Sequence, residues 1–122
     1  MKITPLRTNI EIYQGGVLDV RFIVYDDETG ELADLDGFTG YCQVRTAPAD
    51  DSGTVCLTPP VLVDEVNSVV QIYESNLTNL RGVAVPASGW LYWDVYIERS
   101  SDERWLIATG QARVVPEYAR PS

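Results

Sequence analysis

The stretch Trp90–Arg99, with the sequence WLYWDVYIER, decides the fold of this chain. Its side chains alternate between two kinds, which is the two-residue period of a β-strand with one buried face. The apolar face carries Leu91, Trp93, Val95 and Ile97. We therefore predict a strand that buries Trp93 and turns Trp90, Tyr92 and Tyr96 to the opposite face.

The residues after this stretch complete a hairpin. Ser100–Glu103 has the composition of a turn, and Arg104–Val115 is predicted to be the last strand. Four of its side chains are expected to share the core face: Leu106, Ala108, Ala112 and Val114. Gly110 in the middle of this strand indicates either a β-bulge or a close approach of another backbone segment.

The rest of the chain repeats short β-branched or aromatic runs, each followed by turn residues. These runs span residues 9–14, 17–25, 39–46, 54–63 and 68–74. Pro59-Pro60 splits the fourth run, so that run is either an edge strand or a bent crossover between sheets. Ser75–Gly82 is the one place where a short helical turn is plausible.

This pattern predicts an all-β protein. We expect a single Ig-like antiparallel β-sandwich, or a flattened barrel, of about seven or eight strands. The 122 residues fit one domain, with an ordered core over about 9–116 and a loose tail at 117–122. The amino-terminal residues around Lys2 are expected to be frayed.

The composition argues against an enzyme. The chain contains no histidine, so zinc sites and Ser-His or Cys-His catalysis are excluded in their usual forms. We predict no catalytic residues, no cofactor and no metal site. The net charge of −9 argues against nucleic acid and against an anionic membrane surface as partners.

Two groups of polar residues leave alternatives open. Asp26-Asp27-Glu28 reads as turn chemistry, with weak cation binding as the alternative. Cys42 and Cys56 read as small buried apolar residues, with a disulfide between them as the alternative. Because Met1–Thr8 lacks an apolar run, we expect no signal peptide, synthesis in the cytoplasm and reduced thiols.

The aromatic residues Trp90, Tyr92 and Tyr96 are the candidate interaction residues. Aromatic side chains on an outer strand face are often interface anchors. They would instead belong to the core if both faces of this strand are covered. A platform on which carbohydrate stacks is the third reading.

The order of these features resembles small β-sandwich modules of bacteriophage and prophage structural proteins, including the amino-terminal domain of baseplate upper proteins. The resemblance spans about residues 10–115, and its motifs are short and built of turn and core residues. It is carried by Asp19 to Asp27 ending in acids, Gly30, Asp34-Leu35-Asp36-Gly37-Phe38, Gln43-Val44-Arg45, Gly89-Trp90-Leu91-Tyr92-Trp93-Asp94-Val95, and Gly110 before Val114. Pro59-Pro60 and the loop at 47–53 depart from that pattern, which leaves the particular virion component undetermined.

The resemblance implies a non-enzymatic structural or assembly role in the virion, in the tail, the baseplate or associated with the capsid. The expected partners are other virion proteins and further copies of the chain in a homo-oligomer, after synthesis in the host bacterial cytoplasm. The alternative from a different class is a carbohydrate-binding or host-adhesion module that uses the aromatic strand and the acidic loops.

Overall fold

The computed structural model describes residues 1–47, 53–76, 79–80, 82–83, 89–100 and 102–116. These residues contain nine strands. The strands are β1 (Leu6–Arg7), β2 (Ile10–Tyr13), β3 (Leu18–Ile23), β4 (Thr39–Arg45), β5 (Val55–Leu57), β6 (Val61–Asp64), β7 (Val69–Glu74), β8 (Trp90–Arg99) and β9 (Glu103–Val115).

The strands form two sheets that pack face to face. The large sheet has the order β1-β9-β8-β4-β5, with β2 also paired to β9, and the small sheet has the order β3-β7-β6. The predicted all-β sandwich is confirmed, and the sheets do not close into a barrel. The sandwich is antiparallel except at β1 and β2, which both pair parallel to β9.

The core lies between the inner faces of the two sheets. Trp93 is 1% exposed, and its ring stacks on Phe22 of the small sheet with centroids 5.9 Å apart. The other inward residues predicted for β8 are also buried: Leu91, Val95 and Ile97. Val70 and Ile72 complete the opposite wall from β7. The register predicted from the alternation of β8 is therefore correct.

The last strand departs from its predicted alternation at Ile107. The pairing of β8 with β9 passes from Val95↔Ala108 to Tyr96↔Leu106, so Ile107 is an extra residue in β9. A bulge reverses the side-chain alternation beyond it. Leu106 therefore pairs beside Tyr96 on the outer face, and its predicted place in the core was wrong.

Gly110 marks a close approach and not the bulge. A Cβ at this position would lie 2.7 Å from the carbonyl carbon of Thr8 and would collide with its oxygen. That oxygen accepts a hydrogen bond from the Trp93 indole at 3.2 Å. The Asn9 side chain takes the place of a backbone acceptor here, because its Oδ1 accepts a hydrogen bond from the Gln111 amide at 3.1 Å. The segment between β1 and β2 thus bends over Gly110.

Two connections between strands have the structures that their residue types favour. The Pro59-Pro60 segment carries the chain from β5 in the large sheet to β6 in the small sheet, as the crossover reading predicted. Asp64 shapes the next turn, since its Oδ1 accepts from the amides of Val66 and Asn67 at 3.0 and 3.1 Å.

The predicted helical turn at residues 75–82 is only partly described. The Leu80 amide donates to the Asn76 carbonyl at 3.2 Å, and the Asn79 amide donates to Asn76 Oδ1 at 3.4 Å. Asn76 is thus positioned as the cap of one short turn. Residues 77, 78 and 81 of this prediction, residues 48–52 of the loop predicted at 47–53, and the predicted tail at 117–122 lie outside the described residues.

The amino terminus is docked and not frayed, contrary to the sequence-based expectation. Ile3 is 8% exposed, and the Asp27 amide donates to the Lys2 carbonyl at 2.8 Å. Asp26 Oδ1 accepts from the Lys2 amide at 3.2 Å, and Glu28 pairs with the terminal amine at 3.2 Å. These acids form the predicted turn and also hold the first residues of the chain.

Candidate functional site

The candidate site is the outer face of the large sheet, formed by β4, β8 and β9. The pairing register places Tyr41 beside Tyr96, and Arg45 beside Tyr92. Trp90 lies beside Arg113 of β9. All three predicted residues, Trp90, Tyr92 and Tyr96, therefore lie on the face opposite the core, and each is half-buried. No strand within the described parts of the chain covers this face.

An aromatic pair lies at one end of this face. The rings of Tyr41 and Tyr96 stack with centroids 5.3 Å apart, and Tyr41 is 44% exposed. The guanidinium of Arg104 lies 4.6 Å from the Tyr96 ring centroid, in cation–π contact. Glu98 Oε2 accepts from Arg104 Nη2 at 2.6 Å, and this contact raises the pKa of Arg104. The stack is therefore held between charged neighbours.

The middle and the other end of the face are more polar. Thr109 Oγ1 donates to Asp94 Oδ1 at 2.6 Å, across the strand pair β8–β9. Arg45 Nη1 donates to Gln43 Oε1 at 3.1 Å, while its buried Nε has no partner among the described residues. These bonds hold polar side chains in place on the strand positions next to Tyr92.

A shallow depression opens beside Tyr92, where the chain bends between β1 and β2. Its volume is about 520 Å³. It is lined by Arg7, Thr8, Asn9, Tyr92, Thr109, Gly110 and Gln111. An aromatic ring beside amide and hydroxyl groups can stack on an apolar ring face and hydrogen-bond to its polar edge.

The other predicted polar groups occupy different places. Cys42 is buried, Cys56 is exposed, and both are free thiols, so the disulfide alternative does not hold in this structure. The prediction that Cys56 is buried was wrong. Among the described residues, no three acidic or cysteine side chains gather where they could hold a metal ion. No helix in the described part of the chain has the length and apolar character needed to span a bilayer.

Tyr41 and Arg104 were missed by the sequence analysis, although they contact Tyr96 directly. Alternation within Thr39–Thr46 does separate Tyr41 from the core residues Cys42 and Val44. Tyr41 and Arg104 reach Tyr96 only because β4 and β9 pair on either side of β8. The residue pattern of a single strand does not reveal which strands become its neighbours.

No protein-family model matches this chain, and no curated protein matches it significantly. What the site does is therefore inferred from the residues of the chain itself.

Proposed function

We propose that this chain is a non-enzymatic structural or assembly module of a bacteriophage or prophage virion, acting through protein–protein contacts on the outer face of its large sheet. The aromatic row of Tyr41, Tyr96, Tyr92 and Trp90 is the observation that carries the protein-contact role, and the virion setting rests on the resemblance described above. Tyrosine, tryptophan and arginine are the residues that most often dominate binding energy at protein interfaces.

The geometry of the row supports this role. Tyr41 and Tyr96 are already stacked, and Arg104 is already fixed by Glu98. When a partner covers these side chains, the loss of side-chain conformational entropy is small, because their conformations are already restricted in the free chain. Arg104 and Arg113 also lie beside aromatic rings of this face, and arginine is enriched at protein interfaces.

The test is incorporation into particles. Virions from a host that encodes the chain are purified on a density gradient and searched for it by mass spectrometry. We expect the wild-type chain at a fixed ratio to the major tail or capsid proteins, and a strong loss for a Tyr41→Ser/Tyr96→Ser variant. Tyr73→Ser is the matched control, because Tyr73 is similarly exposed at 38% but lies on the small sheet.

Two results would refute the proposal. One is the absence of the wild-type chain from purified particles. The other is undiminished incorporation of a folded Tyr41→Ser/Tyr96→Ser chain, which would remove the outer face as the contact surface.

A carbohydrate-binding or host-adhesion module is the second candidate, favoured by the depression beside Tyr92. A hexose could stack on the Tyr92 ring while Asn9 and Gln111 face its hydroxyl groups. A glycan array with the wild-type chain and with Tyr92→Ala tests this role. Binding that requires Tyr92 supports it, and an array without any signal rejects it.

A further inference from the structure

The small sheet has an edge strand, β3, with one open side. Among the described strands β3 pairs only with β7. The Val24 amide donates to the Ser68 carbonyl at 2.8 Å. In the β3–β7 register, this bond shows that the even-numbered residues of β3 direct their amide and carbonyl groups toward β7. Because bonded and non-bonded pairs alternate, the amide and carbonyl groups of Asp19, Arg21 and Ile23 point away from β7. A row of unpaired backbone groups is a template for another strand.

The other edge strands in the described structure are shorter or interrupted. Strand β5 has only three residues, and its register shifts against β4. Strand β6 has only four residues, and the Val61 side chain packs onto Gly40 of β4. The β1–β2 edge is broken by the bend at Thr8 and Asn9. By contrast, β3 has six residues in unbroken register with β7 and no proline.

The open edge also leaves apolar side chains incompletely covered. Val20 and Phe22 point inward but are only half-buried, whereas their β7 partners, Ile72 and Val70, are fully buried. Ile23 is 60% exposed and Val17, just before the strand, is 53% exposed. A second strand placed against β3 would cover these groups and pair its free backbone groups at the same time.

We propose that this second strand is β3 of another copy of the chain, paired antiparallel about a twofold axis at Val20. The segment VLDVRFI, residues 17–23, is complementary to itself in this register. Val17 then faces Ile23 of the other copy, Leu18 faces Phe22, and Asp19 faces Arg21. Asp19 and Arg21, whose backbone groups point outward, form the hydrogen-bonded pairs, as antiparallel geometry requires.

Charge selects the second copy over other edge strands. Charged side chains normally guard an edge against pairing, since like charges meet. Here Asp19 and Arg21 have opposite signs and meet in reverse order, so two opposite-charge pairs form. Within one chain Arg21 Nε lies 3.4 Å from Asp19 Oδ1, and the Arg21 side chain is largely exposed, so that contact is readily exchanged. This dimer edge belongs to the small sheet and does not depend on the aromatic face proposed above.

Sedimentation of four samples tests the dimer. The wild-type chain should sediment at twice 13.6 kDa. Asp19→Arg and Arg21→Asp should each be monomeric, because each places like charges opposite each other. An equimolar mixture of these two variants should return to the dimer, since one chain then presents two arginines to two aspartates. The double variant D19R/R21D should also be a dimer.

Far-UV circular dichroism and thermal melting of each variant alone confirm that the monomers are folded. Recovery in the mixture would support the β3 edge, because misfolded chains would not recover by mixing. A wild-type chain that stays monomeric at the highest soluble concentration overturns the proposal, and so does a dimer that persists in both single variants. Tyr41→Ser/Tyr96→Ser should remain dimeric, so this proposal and the proposed function can fail separately.

Discussion

The indole of Trp93 both fills the core and bonds to the bend between β1 and β2. It stacks on Phe22 and donates to the Thr8 carbonyl at 3.2 Å. Trp93→Ala should lower the free energy of unfolding by about 3–5 kcal/mol, as for other core aromatics. Trp93→Phe keeps the stacking but leaves the Thr8 oxygen without its donor, so we expect a loss of about 1–3 kcal/mol.

Urea unfolding followed by circular dichroism measures both losses. Trp90→Ala is the matched control, because Trp90 lies on the same strand but on the half-buried outer face. We expect a smaller loss for that variant. A nearly neutral Trp93→Ala would contradict the register of β8.

Gly110 is required because a backbone carbonyl lies where its side chain would be. Gly110→Ala places a methyl group against Thr8, whose backbone is bonded to both Thr109 and Trp93. Since backbone atoms held on two sides cannot easily move, we expect a loss of about 3 kcal/mol, at the upper end of overpacking costs.

Gly30→Ala is the control variant that measures the cost of backbone strain without a steric collision. Gly30 has a φ of +73°, but nothing lies within 4 Å of the position that an added methyl group would take, so only the left-handed backbone opposes the substitution. A cost of about 1–2 kcal/mol is expected there. If Gly110→Ala costs no more than Gly30→Ala in the same urea experiment, the close approach of Thr8 is not rigid.

At the scale of elements, strands with one buried and one solvated face were predictable from sequence. The alternation in β8 identifies Trp93 as core and Tyr96 as outer face, because each side chain reports its own environment. The bulge at Ile107 was not predictable, since two successive apolar residues fit either face. The parallel pairing of β1 and β2 with β9 joins the two ends of the chain, and no local pattern encodes it.

The turn at Asp26 is predicted to lose its contribution to stability in acid. The amides of Glu28 and Lys2 donate to its carboxylate, which lowers the pKa of Asp26 below the ordinary value of 3.8. A carboxyl whose folded-state pKa is depressed stabilises the fold above its unfolded pKa and stops doing so as pH falls through its folded pKa. Asp26→Asn should therefore flatten the dependence of unfolding free energy on pH below about 3.8.

Urea midpoints measured from pH 7 to pH 2 follow this dependence. Glu31→Gln serves as the control, because Glu31 is an exposed carboxyl in the same turn region whose side chain makes no hydrogen bond or ion pair with the described residues. An Asp26→Asn profile parallel to the wild-type profile below pH 3.8 would contradict the role of Asp26.

The whole molecule is a sandwich in which the site and the open edge lie on different sheets. The sequence placed Trp90, Tyr92 and Tyr96 on the outer face, but it did not reveal the stack with Tyr41 or the open side of β3. Both depend on which strands become neighbours, and that is decided by packing of the complete chain.

The rate at which the two cysteines are alkylated shows whether the core opens locally or only when the whole chain unfolds. Cys42 is 4% exposed, and burial, together with the nearby Asp94, raises its pKa to about 12. Cys56 is exposed at the edge strand β5. Because the thiolate is the reactive form, alkylation of the native chain near pH 8 should add one label at Cys56 and leave Cys42 unreacted.

Mass spectrometry against urea concentration distinguishes the two kinds of opening. Cys42 lies in the interior of β4, where it pairs with Val95 of β8, so its labelling should rise only with global unfolding. The Cys56→Ser variant should take no label in the native state. If Cys42 instead reacts well below the unfolding midpoint, the core around β4 opens before the chain unfolds as a whole.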